Sequence, residues 1–346
     1  MKIRLISYSA AGSETAARVA ALLEARGDTC RRFAPEAHCA DEKTEPLSVS
    51  AAQWGKEGFE EADALIYCCA AGIAVRSIAP WVKSKKTDPA VIVMDEKGKF
   101  VIPLLSGHIG GANELAEFIA EGTGAVPVVT TATDINGLFA VDVFARRNHL
   151  YIESMTLAKE ISAALLTGEK IGFSSDYPVK GELPPELTRE KARIGICVTA
   201  DMKKAPFEKT LRLVPQRYAA GLGCRREKDA GEIEEFFLAQ LEEAGVSARE
   251  IRLIASVDLK KDEPGLLALA KKYSIPFETF AAEQLNSLPG SFSGSDFVKE
   301  TTGVDCVCER AALLAAGGGG KLVLKKIAGG GVTFALAEYE EDISFE

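Results

Sequence analysis

Long hydrophobic runs are missing from this sequence of 346 residues. No stretch approaches the ~18 uninterrupted apolar residues that a membrane-spanning helix needs. At the start of the chain, Arg4, Ser7 and Ser9 interrupt the apolar residues, so we expect no secretory signal. These absences argue against a membrane protein and predict a cytoplasmic one.

An excess of positive charge is missing as well. The chain has 41 Lys and Arg residues against 50 Asp and Glu residues, which gives a formal net charge of −9. Nucleic acids and anionic membranes attract proteins with net positive fields, so this balance argues against either as a general partner. A small anionic substrate is still allowed, because it needs only a local basic pocket.

Cysteine patterns typical of metal-binding or disulfide-rich proteins are also absent. None of the eight cysteines forms a C-x-x-C pair, and eight is too few for a disulfide scaffold in a chain of this length. Cys68, Cys69 and Cys197 lie in apolar runs typical of buried strands. Cys306 and Cys308 could contact a soft metal, but no histidine lies beside them in the sequence. We therefore predict no metal site.

The chain does have enough apolar residues for well-packed cores. Hydrophobic residues make up 47% of it, and its length suggests two or three domains. Strand-like and helix-like segments alternate over the first part of the chain. Strand-like runs such as 64–68 are apolar throughout rather than alternating, which is typical of a parallel sheet covered on both faces. We predict a Rossmann-like, parallel-sheet α/β domain over residues 1–134.

The pattern changes after residue 134. Two helical segments, short strands and a loop rich in Pro and Glu predict a small middle α+β segment or lid over 135–214. Strands and helices alternate again from there on, which predicts a separate α/β domain over 215–346. In this last part, the glycine runs 317–320 and 329–331 predict a helix end and a hairpin turn rather than phosphate binding.

Residues 106–113, hereafter the histidine loop, are the most informative segment for function. The loop follows a predicted strand and opens a helix, and Gly107, Gly110 and Gly111 would let backbone N–H groups approach a ligand. The positive end of the helix suits a carboxylate or a phosphate, which Asn113 could also contact. The loop is not a Walker loop, since no Gly-Lys-Ser/Thr follows, and it is not a clean G-x-G-x-x-G.

His108 is the residue of this loop best suited to acid–base chemistry. The chain has only three histidines, and this one lies in a glycine loop at a strand end. Ser106 and Glu114 could orient it or share the proton transfer. The simpler alternative is that His108 is structural, Ser106 is a turn hydroxyl and Glu114 is a solvated carboxylate in the first helical turn.

Two further polar loops follow predicted strands in the same half of the chain. Gly72 leads into a helix whose Arg76 could contact an anionic substrate or form a local ion pair. Thr131, Asp134 and Asn136 could bind substrate or cap the next helix. Open parallel sheets bind ligands at the carboxyl ends of their strands. We therefore expect these two loops and the histidine loop to converge on one sheet edge and form a pocket.

The last third of the chain offers a second group of candidates. Gly223, Arg225 and Arg226 follow a predicted strand. Paired arginines beside a glycine could hold substrate carboxylates, or could form only a solvated basic turn. Asp258 lies in a charged strand-to-helix loop, where it could cap the helix or contact substrate.

Taken together, these segments resemble a known family. The stretch 105–116 (Leu-Ser-Gly-His-Ile-Gly-Gly-Ala-Asn-Glu-Leu-Ala), with 72–76 and 131–137, is similar to the cobalt-precorrin-5A hydrolase family of anaerobic cobalamin biosynthesis. The last third independently resembles that family's C-terminal domain. Its matching segments are 221–226, 255–270, 304–316 and 322–337, the last with Lys325. Leu324 departs from the proline expected before that lysine.

The resemblance implies a reaction and a substrate. Members of this family open the δ-lactone of a cobalt-containing, ring-contracted tetrapyrrole and release acetaldehyde. The anionic tetrapyrrole carries its own cobalt, so no cofactor of the protein is implied. The resemblance leaves room for transient contacts with neighbouring enzymes of the pathway. In an acidic protein the positive charge should then be concentrated locally, at Arg76, Arg225, Arg226 and Lys325.

Two alternatives stay open beside the hydrolase. The chain could be a non-catalytic tetrapyrrole carrier or handover protein of the same pathway, because the family's C-terminal part also exists as a free-standing protein. It could instead be a sugar-phosphate or nucleotide enzyme that uses the histidine loop as an anion site. Only the hydrolase needs an acid–base group such as His108, so an aldehyde assay separates it from the carrier.

Overall fold

The computed structural model describes residues 1–84, 87–108, 110–131, 137–317 and 319–345, with only the backbone at 296–297. Contacts between residues divide the chain into two units, Met1–Val143 and Phe144–Glu346. The second unit contains most of the predicted middle segment together with the predicted C-terminal domain. The boundaries of the predicted segments 1–134, 135–214 and 215–346 stay a prediction.

The first unit is built on one large sheet. Its strands are β1 (Lys2–Ser7), β2 (Thr29–Ala34), β3 (Thr44–Pro46), β4 (Ala64–Cys68), β5 (Ala90–Met94), β6 (Phe100–Leu105) and β7 (Val126–Pro127). The seven strands have the order β3-β2-β1-β4-β5-β6-β7. Neighbouring strands are parallel, except that β5 and β6 are antiparallel. The predicted Rossmann-like α/β class is confirmed, with this one reversed pair.

Helices cover both faces of this sheet, which explains why its central strands are apolar throughout. Every residue of β4 and β5 is buried. On one face, α1 (Ala10–Ala25) and α4 (Ala112–Thr123) pack on the sheet around Leu5 and Ile92. On the other face, the core around Trp54 belongs to α2 (Ala51–Glu61) and α3 (Ala71–Ile78).

The reversal between β5 and β6 has a short-range cause. Only residues 95–99 join the two strands, whereas a parallel neighbour needs a crossover of about a dozen residues or more. Asp95 closes the turn, because its carboxylate accepts the backbone N–H groups of Lys97 at 3.0 Å and Phe100 at 2.7 Å. The end of β6 therefore lies beside the beginning of β5, with Leu105 opposite Val91.

The second unit begins with a sheet of short strands. The strands of this stretch are β8 (Leu150–Ile152), β9 (Ile171–Ser175), β10 (Val179–Lys180), β11 (Leu187–Thr188), β12 (Ile194–Val198) and β13 (Lys209–Pro215). Five of them form a sheet with the order β11-β9-β12-β13-β8. The predicted middle segment thus has a sheet of its own, because β12 is buried throughout between β9 and β13.

The last part of the chain forms another five-stranded sheet. Its strands are β14 (Tyr218–Cys224), β15 (Ile251–Val257), β16 (Phe277–Phe280), β17 (Lys321–Gly329) and β18 (Val332–Glu338), in the order β16-β15-β14-β18-β17. The predicted glycine hairpin is confirmed: β17 and β18 are antiparallel and turn at Gly330 and Gly331, with φ of 57° and 82°. A final strand, β19 (Ile343–Ser344), pairs with β10.

The remaining helices lie in the second unit, apart from α5, which begins before it. They are α5 (Val141–Arg147), α6 (Met155–Leu166), α7 (Ala230–Glu243), α8 (Pro264–Tyr273), α9 (Ala282–Asn286), α10 (Asp296–Thr302) and α11 (Val307–Ala316). Among the described residues, no helix combines the length and the apolar composition that a bilayer crossing requires.

Close packing of a helix on the last sheet depends on one glycine. α7 and α8 pack on one face of this sheet, and α11 packs on the other. Where β14 meets α11, a Cβ added to Gly221 would lie 1.8 Å from the carbonyl oxygen of Cys308. A residue without a side chain is therefore needed at this position of the strand.

Candidate active site

Two of the three loops predicted to form a pocket meet at one edge of the first sheet. The histidine loop follows β6, and Thr131 follows β7, which is parallel to β6. Both loops therefore leave the sheet at the edge where β5 begins. Asn113 joins them, because its Nδ2 donates a hydrogen bond of 3.1 Å to Oγ1 of Thr131.

The third loop, which contains Gly72 and Arg76, lies at the opposite edge. It follows β4, which is parallel to β5, whereas β6 runs the other way. The expected convergence of three loops is therefore wrong, because the β5–β6 turn reverses the strand that carries the histidine loop. Both residues are exposed, and a guanidinium nitrogen of Arg76 lies 3.3 Å from the position that a Cβ on Gly72 would occupy.

The cavity at this opposite edge does not suit an anion. It has a volume of about 470 Å³ and lies where β1, β4 and β5 end. Its walls are mainly apolar, but they include the carboxylates of Asp95 and Glu96. Since acidic side chains repel substrate carboxylates, the predicted role of Arg76 in holding them gains no support from its surroundings.

The histidine loop closes on itself through backbone hydrogen bonds. The N–H groups of residues 111–113 donate to the carbonyl oxygens of residues 106–108 at 3.0–3.1 Å. Gly111, at the start of α4, has a φ of 79°. These three N–H groups have partners within the loop, so they do not form the anion site that the sequence suggested.

Gly107 and Gly110 are needed for the packing of this loop. A Cβ on Gly107 would lie 2.6 Å from Oδ1 of Asn113, and one on Gly110 would lie 2.4 Å from the Cβ of Ser106. Such distances are well inside van der Waals contact. The structure thus explains both glycines without a ligand.

Ser106 connects the histidine loop to the residues that precede β5. Its hydroxyl donates a 3.0 Å hydrogen bond to the carbonyl oxygen of Asp88, and the residue is 8% exposed. Its φ of 58° lies in the left-handed region that non-glycine residues rarely adopt. With its hydroxyl bound to Asp88, Ser106 has a structural position, and its predicted partnership with His108 is not supported by this geometry.

His108 is paired instead with a carboxylate that the sequence did not single out. Its Nδ1 lies 3.3 Å from Oδ2 of Asp142, in the first turn of α5. The histidine side chain is 16% exposed and the aspartate side chain 10%. The only sequence signal was an acidic residue within an apolar helical stretch, and it lies 34 residues from its partner.

The other residues predicted in this half of the chain have different positions. Glu114 is half-buried in the first turn of α4. Asn113 is 7% exposed and connects two loops, so its described contacts are structural. Asp134 and Asn136 lie outside the described residues.

A larger cavity lies in the second unit, at the carboxyl end of β14. Its volume is about 1010 Å³, at the upper end of the ~300–1,000 Å³ typical of small-molecule pockets. The predicted residues Gly223, Arg225 and Arg226 line it together. Lys260 and Lys326, which the sequence prediction missed, line it as well.

Two predicted residues do not belong to this cavity. Among the described lining residues, Lys326 replaces the predicted Lys325, which is exposed. Both lysines lie where the pairing of β17 with β18 is irregular, between Leu324 and Ile327, so simple alternation along the strand does not predict which of them faces the cavity. Asp258 is also exposed, in a short turn at 258–260, and does not cap α8, which begins at Pro264.

The charges around this cavity are mixed. Acidic side chains line it together with the basic ones, and Lys260 forms a 2.7 Å ion pair with Glu263. Arg225 and Arg226 are exposed at its wall. Of the four cations predicted to concentrate positive charge, Arg225 and Arg226 are among its lining residues, whereas Arg76 and Lys325 are not.

The paired cysteines lie at the beginning of α11. Cys306 and Cys308 are each 1% exposed. A hydrogen bond between the two thiols lowers the pKa of Cys306 and raises that of Cys308. Within the described ranges, no group of three or more His, Cys, Asp or Glu side chains is arranged to hold a metal ion.

Comparison with known proteins assigns the chain to a family. Three family models match it in order: "Cobalamin synthesis G N-terminal" at 53–134, "Cobalamin biosynthesis central region" at 139–215 and "Cobalamin synthesis G C-terminus" at 218–337. The cobalt-precorrin-5A hydrolase of Salmonella typhimurium is 36% identical over 348 residues, which cover 96% of this chain and 97% of that relative. The chain belongs to the cobalt-precorrin-5A hydrolase family. The predicted family and the predicted hydrolase class are confirmed.

Two other relatives share the same sequence identity with this chain. The cobalt-precorrin-5A hydrolase of Priestia megaterium is 36% identical and covers 82% of this chain and 80% of that relative. Protein CobE of a Sinorhizobium species is 36% identical over 34% of this chain and 77% of its own length. The histidine loop lies within the N-terminal family model and the residues of the larger cavity lie within the C-terminal one.

Glu309 fixes the backbone of Lys326, a residue that lines the larger cavity. Glu309 is 1% exposed, and its carboxylate accepts the backbone N–H groups of Ser293 at 2.8 Å and Lys326 at 2.7 Å. Burial alone would raise the pKa of this carboxyl, but the N–H donors outweigh burial and hold its pKa below the usual 4.5. A carboxyl whose pKa is lowered by folding stabilises the fold above its unfolded-state pKa, and that contribution is lost as the pH falls.

Glu309→Gln is expected to lower the free energy of unfolding near neutral pH by about 2 kcal/mol, because one acceptor oxygen becomes an N–H₂ donor facing a backbone N–H. The variant should also lose less stability than the wild type on acidification below about pH 4.5. Urea unfolding across that range measures both effects. Glu232→Gln, whose side chain is 59% exposed, is the control. Parallel pH dependences in wild type and Glu309→Gln would contradict the prediction.

Proposed function

We propose that this chain is a cobalt-precorrin-5A hydrolase in which His108 is the general base. It would open the δ-lactone of its substrate with water, release acetaldehyde and leave cobalt-precorrin-5B. The observation that carries the role of His108 is that a shielded carboxylate holds one ring nitrogen while the side chain remains 16% exposed. An imidazole held in this way is oriented to take a proton from an attacking water.

The reaction breaks two bonds of the substrate. Water attacks the lactone carbonyl carbon while a proton of the water passes to His108, and the bond from the carbonyl carbon to the ring oxygen then breaks. The freed oxygen becomes the carbonyl oxygen of acetaldehyde as the neighbouring carbon–carbon bond breaks. The electron pair of that bond goes into the macrocycle, and the proton taken by His108 returns to the product.

The internal bonding of the histidine loop limits what the loop can contribute. The N–H groups of residues 111–113 donate to carbonyl oxygens of the loop. They are therefore not the donors that stabilise the oxyanion formed when water attacks the lactone carbonyl. The same bonding disfavours a sugar-phosphate or nucleotide enzyme, because a phosphate site at this helix start would need these donors.

A second candidate function, tetrapyrrole carriage or handover, is favoured by the larger cavity. Its volume of about 1010 Å³ would accommodate a large ligand. Arg225 and Arg226 could each form charge-assisted hydrogen bonds with carboxylates. Valine and leucine side chains in the same cavity, Val257, Leu259, Val298 and Val307, would contact the apolar parts of a macrocycle.

The double variant Arg225→Gln/Arg226→Gln is expected to weaken binding of a cobalt-containing corrinoid polycarboxylate by about 10- to 100-fold. A hydrogen bond to a charged group contributes about 1.5–3 kcal/mol. Because both guanidinium groups are exposed and solvent weakens each contact, we expect the two together to contribute about this amount. Spectroscopic titration, using the absorbance of the corrinoid, measures the change.

Lys325→Gln is the matched control for this titration, because Lys325 is exposed and Lys326 takes its place in the cavity. It should leave the affinity unchanged. Equal weakening by Lys325→Gln would show that the effect is general electrostatics and would remove the support for binding in this cavity.

The cytoplasmic location, the absence of a protein cofactor and transient contacts with neighbouring pathway enzymes stay predictions. The cobalt of this reaction belongs to the substrate.

A further inference from the structure

We propose that Asp142 is the positioning residue of His108. It would hold the neutral imidazole in the tautomer with hydrogen on Nδ1, so that Nε2 is the atom that takes the proton from water. This inference rests on the proposed role of His108 as the base. Asp142 would orient the base, and Nε2 of His108 would be the basic atom.

The contact between the two side chains defines which nitrogen is the donor. Nδ1 of His108 lies 3.3 Å from Oδ2 of Asp142. An ionised carboxylate can only accept hydrogen bonds, so the nitrogen that faces it has to carry the hydrogen. A neutral imidazole has one N–H, which leaves the lone pair on Nε2.

The carboxylate is itself held in place. Oδ1 of Asp142 accepts the backbone N–H of Val143 at 3.1 Å, which leaves Oδ2 directed to the ring. The side chain of Asp142 is 10% exposed, so the pair lies in a region of low dielectric where hydrogen bonds to charged groups are strong. The ring is therefore oriented from α5, an element outside its own loop.

The orienting residue that the sequence suggested has another partner. The hydroxyl of Ser106 donates to the carbonyl oxygen of Asp88 at 3.0 Å. Ser106 lies two residues before His108 in the sequence, whereas Asp142, which contacts the ring, lies 34 residues after it. The residue that positions the base is thus set by tertiary packing.

Nitrogen-15 NMR of the unmodified chain tests the tautomer directly. The chain has three histidines, so labelled histidine gives three sets of ring signals, and the set missing from His108→Ala belongs to His108. We expect neutral His108 to carry its hydrogen on Nδ1. A neutral His108 protonated on Nε2 would overturn the inference without any change at Asp142.

Kinetics of variants at Asp142 provide the second test. Asp142→Asn is expected to lower kcat for acetaldehyde release by about 10²–10⁴-fold with little change in KM, because an amide N–H₂ facing the ring favours the wrong tautomer. Asp142→Glu, which keeps the carboxylate, should recover part of the loss. The NMR signals of His108 should change tautomer in Asp142→Asn, an effect that a merely structural role would not produce.

The control is another histidine–carboxylate pair of the same chain. Oε2 of Glu341 lies 3.8 Å from Nε2 of His149, and Glu341→Gln should leave kcat unchanged. Wild-type kcat in Asp142→Asn would overturn the inference, and so would a loss of kcat with an unchanged His108 tautomer. Turnover that survives in His108→Ala would instead overturn the proposed base itself, so the two failures are distinguishable.

Discussion

Acetaldehyde release from cobalt-precorrin-5A is expected to fall by about 10²–10⁴-fold when His108 is replaced by alanine, the range that a general base contributes. Alanine removes the imidazole that accepts the proton of the attacking water, a function that belongs to the chemical step rather than to substrate binding. Substrate binding should therefore be retained. An assay that couples acetaldehyde to a nicotinamide-dependent alcohol dehydrogenase follows turnover, and titration of the substrate absorbance follows binding.

The matched control is His38→Ala. His38 is half-exposed and ends a short turn at 36–38 in the same unit, so the change removes an identical side chain with little expected effect on turnover. Thermal unfolding of both variants shows whether a loss reflects chemistry or folding. Turnover close to wild type in His108→Ala would remove the base from the mechanism, whereas loss of binding in a folded variant would make His108 a substrate contact.

Gly221→Ala is expected to have the largest effect on stability. The added Cβ would lie 1.8 Å from the carbonyl oxygen of Cys308 and 2.9 Å from the backbone nitrogen of Ala312. Both atoms belong to the backbone of α11, which cannot rotate away as a side chain can. Since overpacking a core typically costs about 1–3 kcal/mol and more when backbone must move, we expect a loss of at least about 3 kcal/mol.

Urea unfolding of Gly221→Ala measures this loss, and Gly231→Ala provides a comparison in the same unit. The nearest atom to an added Cβ on Gly231 is a side-chain oxygen of Asp229 at 3.1 Å, so the change should stay below about 1 kcal/mol. A Gly221→Ala protein with the unfolding midpoint of the wild type would show that β14 and α11 are not packed as closely as described.

The elements of the fold were largely predictable from local patterns. Apolar runs such as Ala64–Cys68 predicted buried parallel strands, and those strands are buried throughout. The glycine run at 329–331 predicted a hairpin because β-hairpins need residues that tolerate positive φ. The antiparallel β5–β6 pair was missed, although the five-residue connection 95–99 is too short for a parallel crossover and was a readable signal.

The candidate site was predictable only in part. The histidine loop and its base were found because a histidine among glycines at a strand end is an unusual local pattern. Arg76 does not belong with that loop, because the apolar strand pattern predicts a fully parallel sheet and does not show that β6 runs antiparallel to β5. The family resemblance pointed to Lys325, whereas Lys326 lines the cavity, at a point where the pairing of β17 with β18 is irregular.

The sequence by itself determined the α/β class, the family and the histidine loop, because each depends on residues that are close together along the chain. The tertiary structure alone decided which loops share a sheet edge, since that depends on how β6 pairs with β5. It alone placed Asp142 beside His108, since two residues 34 positions apart meet only when the helix of one packs against the loop of the other. Local patterns thus identify the base, and long-range packing selects its partner.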